Sequence, residues 1–373
     1  MAVVNEGGAR ISQSKGVFYN PRMRTLRDIS VLFLKAISAE GSLLDSTSAT
    51  GVRGIRYAKE AGFRDIVFLD INKGAARNAN LNIKRNGLGF KCLNESVQAY
   101  CSGELRHRFD VIDLDPFGTP VPYINDLLKV SKDRTILMVT ATDTAVLCGA
   151  HANACLKLYG SKPMHNELCK ESGIRILLNF VIRSAAQFNF GAEVLLSISD
   201  MHYMRVFVRL HAGAKKAAES LKQSGFATFC SKCRSFSFAR GIAPFLGRKC
   251  AICGANAEAF GPMYLGSLKD SGIVEKMLHD CRMSITAPDA DAYALLSRIS
   301  GELETPFFYS IPRITGLLHM SSVPMDGIMD RLKRHGFSVS RTHFDKDGIK
   351  TTASGAEVLR VVKGLRNDVG ASH

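Results

Sequence analysis

An acidic residue, a proline, an aromatic residue and a glycine follow one another at the end of an apolar run, as Asp115, Pro116, Phe117 and Gly118. The run itself, residues 109–114, predicts a buried strand. The carboxylate after it offers hydrogen-bond acceptors beside a flat apolar face, and proline adds no N–H that competes for them. A site that handles the amino group of a planar base needs these groups. A strand that ends in an ordinary Pro-Gly turn is the alternative interpretation.

Three more acidic residues follow short apolar runs upstream, at Asp45, Asp70 and Glu95. Together with Asp115 they predict a row of carboxylates, because ligands of α/β sheets bind where the carboxyl ends of the strands meet. An acid after the second strand is where nucleotide sites of this kind bind ribose hydroxyls, and we expect that role for Asp70. Glu95, which precedes Ser96, offers an acceptor for the amino group of an adenine.

A loop of small residues, 46–54, follows Asp45 and contains Gly51 and Arg53. It has neither the Gly-x-Gly-x-x-Gly of dinucleotide-binding proteins nor the Gly-Lys-Ser/Thr of phosphate-binding loops. An acid followed by small residues fits a ligand that carries an ammonium group, as the methionine part of S-adenosylmethionine does. We therefore expect Asp45 and this loop to bind such a ligand.

Four of the ten cysteines form two Cys-x-x-Cys pairs, and sixteen residues separate Cys230 and Cys233 from Cys250 and Cys253. This spacing is typical of zinc modules, because each short turn presents two thiolates and two such turns complete a tetrahedron. Four cysteines leave no open coordination position, so we expect a structural zinc ion. A disulfide pair or a redox site is the alternative, which a reducing cytosol disfavours.

The elements that must position these residues alternate along the first half of the chain, where strand and helix patterns succeed each other from residue 42 to residue 142. A long helical pattern at 166–187 then precedes two alternating runs, 193–199 and 205–211, which predict an antiparallel pair. Five strand–helix units closed by a hairpin indicate an α/β fold with a class I methyltransferase (Rossmann-like) sheet, not a symmetrical dinucleotide-binding fold.

We predict two domains. Residues 1–266 form the methyltransferase domain, which includes the zinc-binding module at about 226–256, and residues 267–373 form a smaller α+β C-terminal domain. Residues 1–16 are polar and contain glycine, so we expect a mobile end. In the C-terminal domain, a helix at 324–334 is followed by a strand with basic residues. This order indicates a winged-helix arrangement that could bind RNA. A plain α+β accessory domain is the alternative.

Lys and Arg outnumber Asp and Glu by 15 among the 373 residues. This excess favours a polyanionic partner, and its spread in small groups suits a broad nucleic-acid footprint. A generally basic proteome would give the same excess. No apolar run approaches the roughly 20 residues that span a bilayer, and no signal-peptide pattern opens the sequence. We therefore expect a cytoplasmic protein that binds no membrane.

Segments along the whole chain resemble the tRNA (guanine-26-N2)-dimethyltransferase family of class I S-adenosylmethionine-dependent RNA methyltransferases. The segments that carry this resemblance are Phe18-Tyr19-Asn20-Pro21-Arg22-Met23, Ser48-Ala49-Thr50-Gly51-Val52-Arg53-Gly54-Ile55-Arg56-Tyr57, Asp113-Leu114-Asp115-Pro116-Phe117-Gly118-Thr119-Pro120, Ala141-Thr142-Asp143-Thr144, Leu147-Cys148-Gly149 and Ser340-Arg341-Thr342-His343-Phe344. The resemblance implies an enzyme that transfers one and then a second methyl group from S-adenosylmethionine to the exocyclic N2 of guanine 26 in tRNA. It makes tRNA the partner and implies no obligate protein partner.

The resemblance also implies roles for individual residues. It implies that S-adenosylmethionine is bound by Arg27, Arg53, Asp70, Glu95 and Ser96. It further implies that Asp115 and Phe117 contact the target base. The base amine needs a second acceptor besides Asp115, and our candidate for it is the backbone carbonyl of Pro116.

Two other functions remain open from the residues alone. One is a methyltransferase for adenine N6 or another exocyclic amine, because Asp-Pro-Phe is related to the Asp-Pro-Pro-Tyr pattern. The other is a zinc-bearing RNA-binding protein without catalytic activity. A covalent mechanism of the 5-methylcytosine type is disfavoured, because the sequence contains no Pro-Cys dipeptide.

Overall fold

Strands and helices alternate along the computed structural model, which describes residues 3–103, 108–200, 202–283, 289–321 and 323–370, the last five by their backbone only. The strands are β1 Val3–Glu6, β2 Ala9–Ser12, β3 Ser42–Asp45, β4 Asp65–Leu69, β5 Cys92–Leu93, β6 Phe109–Leu114, β7 Ser131–Ala141, β8 Phe190–Asp200, β9 Tyr203–Ala212, β10 Ser224–Phe229, β11 Phe236–Arg240, β12 Glu258–Tyr264, β13 Tyr309–Ser310, β14 Val339–Arg341 and β15 Gly348–Thr351. The helices are α1 Arg24–Ala36, α2 Val52–Glu60, α3 Lys73–Arg85, α4 Val97–Ser102, α5 Val121–Lys129, α6 Thr144–Leu147, α7 Ala152–Tyr159, α8 Cys169–Gln187, α9 Ala214–Leu221, α10 Ser271–Met283, α11 Ala290–Ser300, α12 Ile311–Leu317, α13 Met325–Arg334 and α14 Gly355–Gly370.

A seven-stranded sheet with the order β5-β4-β3-β6-β7-β9-β8 forms the centre of the molecule. The first five of these strands are parallel, and β9 lies antiparallel between β7 and β8. Every residue of β3 is buried, and so are all residues of β6 except Asp110, because helices cover both faces. The predicted class I methyltransferase sheet is confirmed.

The N-terminal segment forms a hairpin in which β1 and β2 pair in antiparallel register. Ala9 and Ile11 are buried in the hydrophobic core, and the amide of Ser12 donates to the Asn82 side chain on α3 at 2.9 Å. The predicted mobile end is therefore wrong for the residues from Val3 onward. Side chains of α3, distant in sequence, provide the hydrogen-bond partners that this short polar segment lacks by itself.

The zinc module is built on a second sheet, of order β11-β10-β12, and the C-terminal sheet has the order β13-β15-β14. The two meet where Phe236 stacks on Tyr309 with ring centroids 4.8 Å apart. After β13 come α12 and α13 and then the β14–β15 pair, which is the helix–strand order that the sequence indicated.

Helices α10 and α11 pack on α1 and share the hydrophobic core of the central sheet, with Val274, Met277 and Leu296 buried there. A separate core links the strands and helices after Ser300. The domain boundary after residue 266 stays a prediction, and this packing favours a division nearer residue 300.

A buried ion cluster joins the C-terminal sheet to α8. The Nζ atom of Lys350 lies 3.1 Å from a carboxylate oxygen of Glu171 and 3.1 Å from one of Glu302. All three side chains are at most 6% exposed, and Glu171 also pairs with the buried Arg175 at 2.8 Å, so the charges in this cluster have nearby partners.

No helix within the described ranges combines the length and the apolar character that a membrane crossing requires.

Candidate active site and metal centre

A cavity of about 570 Å³ opens at the carboxyl ends of β3, β4, β5 and β6. Its walls come from the loops after these strands and from the segment that leads into α1. The predicted site residues that line it are Arg27, Arg53, Asp70, Glu95, Ser96, Asp115, Pro116 and Phe117. Two predicted residues, Asp45 and Gly51, do not line it.

Asp115 lines this cavity and has one carboxylate oxygen without a hydrogen-bond partner among the described residues. Its Oδ2 atom forms an ion pair with Arg53, and its backbone N–H donates to the Thr47 hydroxyl at 3.1 Å. The other oxygen, Oδ1, is buried and has no hydrogen-bond partner among the described residues. A buried acceptor without a partner costs free energy, so a donor that reached this atom would recover that cost.

Arg53 lies between two carboxylates, since its Nε atom is 3.9 Å from Asp113 and its Nη1 atom contacts Asp115. Burial disfavours the charged guanidinium, but Asp115 and Asp113 outweigh it and raise the pKa of Arg53 above its ordinary value. The cation therefore persists in the cavity wall and holds one oxygen of Asp115 in place.

Phe117 is 75% exposed, although its neighbour Asp115 is mostly buried. Its ring meets the ring of Phe18 edge to face, with centroids 4.7 Å apart. The turn behind it is fixed because the Gly118 amide donates to the Thr142 hydroxyl at 2.8 Å and the Thr142 amide donates to the Gly118 carbonyl at 2.9 Å. Two aromatic rings thus stand at the mouth of the cavity, and Phe18 is a site residue that sequence reasoning named only as part of a motif.

Asp70 connects two loops of the cavity wall. Its Oδ2 atom accepts from the amide of Ala49 at 2.8 Å, and its Oδ1 atom accepts from the amide of Asn72 at 2.8 Å. Ser96 caps α4 by accepting from the amide of Ala99 at 3.1 Å. Glu95 lines the same part of the cavity and is half-buried.

Asp45 lies behind the loop of small residues and is 2% exposed. Its carboxylate accepts from the amide of Gly54 at 3.2 Å, and burial together with Asp113 raises its pKa to about 7. Gly51 is the N-cap residue just before α2 and has φ +76°, and a Cβ atom there would come within 3.3 Å of Ala79. Both residues shape the loop from behind the cavity wall.

Arg27 is held by a residue that the sequence did not suggest, Glu6 of the N-terminal hairpin. Arg27 donates to both Glu6 carboxylate oxygens at 2.6 Å, and the Tyr19 hydroxyl donates to the same carboxylate at 2.8 Å. Burial acts to raise the pKa of Glu6, but Arg27, Tyr19 and Arg56 outweigh it and lower the pKa. Burial and Glu6 raise the pKa of Tyr19 to about 12. The hairpin thus fixes the part of the cavity that contains Arg27 and Tyr19.

The four predicted metal ligands converge at one point of the zinc module, with all four sulfur atoms within 4.8 Å of one another. The Sγ atoms of Cys230 and Cys253 are 3.5 Å apart, and so are those of Cys233 and Cys250. Tetrahedral zinc with Zn–S bonds of about 2.3 Å separates its sulfurs by roughly 3.8 Å. The four thiol side chains therefore fit a structural zinc ion.

Comparisons with known proteins match nearly the whole chain to one family. Residues 1–363 match the family model described as N2,N2-dimethylguanosine tRNA methyltransferase. Two proteins named tRNA (guanine(26)-N(2))-dimethyltransferase are similar to the chain. The protein from Methanothermobacter thermautotrophicus is 36% identical, and the match covers 98% of this chain and 99% of the relative. The protein from Thermococcus kodakarensis is 38% identical, and the match covers 98% of this chain and 100% of the relative.

A solved structure is similar as well. It is described as a complex of Trm1 from Pyrococcus horikoshii with S-adenosyl-L-methionine. It superimposes with a TM-score of 0.90 and 36% sequence identity over 97% of this chain and 99% of that chain.

Proposed function

This chain belongs to the N2,N2-dimethylguanosine tRNA methyltransferase family, and we propose that its cavity is where methyl groups pass from S-adenosylmethionine to guanine 26 of tRNA. The acceptor is the exocyclic N2, and the products are N2-methyl- and N2,N2-dimethylguanosine. The observation that carries the assignment of residues is the free, buried Oδ1 atom of Asp115 beside the exposed ring of Phe117.

The donor half of the cavity contains Arg27, Asp70, Glu95 and Ser96. S-adenosylmethionine, when bound, supplies a methyl group activated by its sulfonium charge. Asp70 follows β4, where a carboxylate suits ribose hydroxyls, and Glu95 with Ser96 follows β5, where acceptors suit an adenine. Arg27 is a cation held rigidly by the hairpin and suits the carboxylate of the amino-acid part. Asp45 and Gly51 act from behind by keeping the loop in position.

The acceptor half is formed by Asp115, Pro116 and Phe117. The lone pair of guanine N2 is delocalised into the ring, so the amine is a poor nucleophile. In the first transfer, hydrogen bonds from its two N–H groups to Asp115 Oδ1 and to the Pro116 carbonyl favour a pyramidal nitrogen aimed at the methyl group. In the second transfer the one remaining N–H binds Asp115 Oδ1. Alignment of this kind supplies up to roughly 7–11 kcal/mol in well-oriented reactions.

Asp115 is also the group that receives the proton when the methylated nitrogen releases it. Its Oδ2 atom stays paired with the Arg53 guanidinium, which holds the carboxylate in place while Oδ1 binds the N–H. A positioned base typically contributes 10²–10⁴-fold to such a rate.

A guanine in the tRNA body must leave its stack to reach this site, which costs a few kcal/mol. The rings of Phe117 and Phe18 at the cavity mouth offer the flipped base a new stacking surface. The excess of 15 basic residues favours phosphate contacts over a broad surface, and we assign these to the zinc module and the C-terminal domain as well as to the catalytic domain. Activity in the cytoplasm is part of this proposal.

Nucleoside mapping tests the function directly. Unmodified tRNA is incubated with the protein and with S-adenosylmethionine labelled in its methyl group, then digested to nucleosides. Label is expected in N2-methylguanosine first and in N2,N2-dimethylguanosine later. The matched control is the same tRNA with adenine at position 26, which should stay unlabelled. Label in N6-methyladenosine, or labelling of the control, would contradict the proposal.

A further inference from the structure

Two large apolar side chains of the zinc module are exposed to solvent almost completely. Ile242 and Phe245 are each 96% exposed, more than any other large apolar residue that the structure describes. Both lie on the loop between β11 and Cys250. Single exposed apolar residues are common on protein surfaces, but a phenylalanine and an isoleucine three positions apart at one loop tip indicate a contact surface.

The charge around this loop indicates the kind of partner. Residues 224–264 contain five Lys and Arg residues and one acid, Glu258, which lies 2.7 Å from Lys162 outside the module. A divalent ion with four thiolates adds a charge of −2 and leaves the module cationic. Arg248 is exposed, and the Lys249 ammonium donates only to a neutral amide.

This combination fits a nucleic acid better than a protein surface. The cores of protein interfaces are depleted of lysine, whereas single-stranded nucleic acid is bound by aromatic side chains beside cations that follow the phosphates. Stacking tolerates any base, so the loop needs no base-specific hydrogen bonds.

The module is attached at the edge of the sheet where the cavity opens. Arg234, within the first Cys-x-x-Cys turn region, contacts Glu167 just before α8 at 3.3 Å. Helix α8 in turn lies against α6, since a Cβ atom on Gly173 would be 3.2 Å from the Leu147 carbonyl. Helix α6 follows the carboxyl end of β7, the strand next to β6. The module is therefore linked to the cavity edge of the sheet through α8 and α6.

We propose that the tip of this loop is a second tRNA-binding element, in which Phe245 stacks on an unpaired base and Ile242 packs beside it. Arg248 and Lys249 would neutralise the flanking phosphates. The inference rests on the proposed function, because it takes tRNA as the substrate, but it assigns tRNA contacts to residues outside the catalytic cavity.

Direct binding of tRNA tests this inference, by fluorescence anisotropy at one fixed salt concentration. Phe245→Ala should weaken tRNA binding about 5- to 150-fold, the range of one lost stacking contact. Phe245→Trp should restore it, whereas Phe245→Leu, which is apolar but cannot stack, should not. Leu81→Ala is the matched control, since Leu81 is 55% exposed on α3 and should leave binding unchanged.

Kinetics and crosslinking distinguish a failure of this inference from a failure of the proposed function. Phe245→Ala should raise KM for tRNA and leave kcat at saturating tRNA and the Kd for S-adenosylmethionine unchanged. A photoreactive benzoylphenylalanine at position 245 should crosslink to tRNA. Unaltered tRNA binding by Phe245→Ala, or crosslinking to a second copy of the chain, would overturn the inference while nucleoside mapping still supports the function. Loss of all methyl transfer by the unmodified protein would count against the function itself.

Discussion

Replacement of Glu6 by glutamine tests how the hairpin supports the donor half of the cavity. Glutamine keeps the shape of the side chain but removes the charge that pairs with Arg27. Arg27 donates two hydrogen bonds of 2.6 Å to Glu6, and among the described residues its other acceptor is the Asn20 carbonyl at 3.1 Å. Arg56 also loses its ion pair with Glu6, but it keeps its ion pairs with Asp28 and with Glu60.

The expected loss of stability follows from the burial of the Glu6–Arg27 ion pair. Glu6 is 2% exposed and Arg27 4% exposed, and removal of one partner of a buried pair costs about 3–5 kcal/mol of stability. The guanidinium of Arg27 should also lose its fixed orientation in the cavity. We expect the Kd for S-adenosylmethionine to rise about tenfold, which corresponds to ~1.4 kcal/mol.

Denaturant unfolding and titration calorimetry with S-adenosylmethionine measure the two effects separately. Glu60→Gln is the matched control, since Glu60 accepts from the amide of Gly8 in the hairpin and from Arg56, and no contact joins it to Arg27 in the described structure. It should cost stability without weakening the binding of S-adenosylmethionine. Equal affinities for wild type and Glu6→Gln, or equal losses in both variants, would refute the reasoning.

The pH dependence of Glu6→Gln has a definite sign. The pKa of Glu6 lies below its ordinary value of 4.5 in the folded protein, so its contribution is present above about pH 4.5 and is lost as pH falls through the folded pKa. The variant should therefore differ most from wild type at neutral pH and least in strong acid.

Four further predictions concern other parts of the site. Asp115→Ala should retain tRNA binding and lose methyl transfer by about 100-fold or more, measured with labelled S-adenosylmethionine. Cys250→Ser, or a zinc chelator, should release metal detectable with a colorimetric indicator and lower the melting temperature, because structural zinc contributes folding free energy. Asp45→Asn should stabilise the protein at pH 8 by on the order of 4 kcal/mol and little near pH 4, because a folded pKa raised to about 7 penalises the folded state as pH rises from about 4 to 7. Cys148→Ser should leave turnover largely intact in the methyl-transfer assay, because no thiolate nucleophile takes part.

Each of these has an outcome that counts against it. Turnover by Asp115→Ala near the wild-type rate would remove that carboxylate from its role, and a metal-free chain with an unaltered melting temperature would exclude structural zinc. A stability profile of Asp45→Asn parallel to that of wild type between pH 4 and pH 8 would show that the aspartate is ionised throughout. Abolished turnover in Cys148→Ser would reopen a covalent mechanism.

The central sheet could be predicted because its evidence is local. Buried parallel strands give continuous apolar runs, and the acids after them mark the edge where ligands bind, so Asp70, Glu95 and Asp115 were predicted to lie close together. The evidence for the metal site is also local, because the spacing within and between the two Cys-x-x-Cys pairs indicates it. All four cysteines converge as their spacing indicated.

The remaining features depend on contacts between distant parts of the sequence. Nothing near Glu6 indicates that it faces Arg27, because the pairing exists only once the hairpin packs on α2 and α3. The strand-end rule could not show that Asp45 lies behind the loop, because a strand pattern gives the end of a strand and not the direction of its last side chain. Likewise, α10 and α11 are ordinary amphipathic segments in sequence, and only the fold places them on α1.

The buried Lys350–Glu171–Glu302 cluster has a consequence for protein engineering. Glu171 belongs to α8, whereas Lys350 lies in the last strand that the structure describes, so a crossover point between them separates this ion pair. Glu171 keeps its pair with Arg175, whereas Lys350 keeps Glu302 only when the crossover lies before residue 302. A chimera that takes its C-terminal portion from a relative keeps the pair between positions 171 and 350 only if one parent supplies the carboxylate and the other the ammonium. Recombination libraries of this scaffold should therefore treat position 171 as part of the C-terminal block.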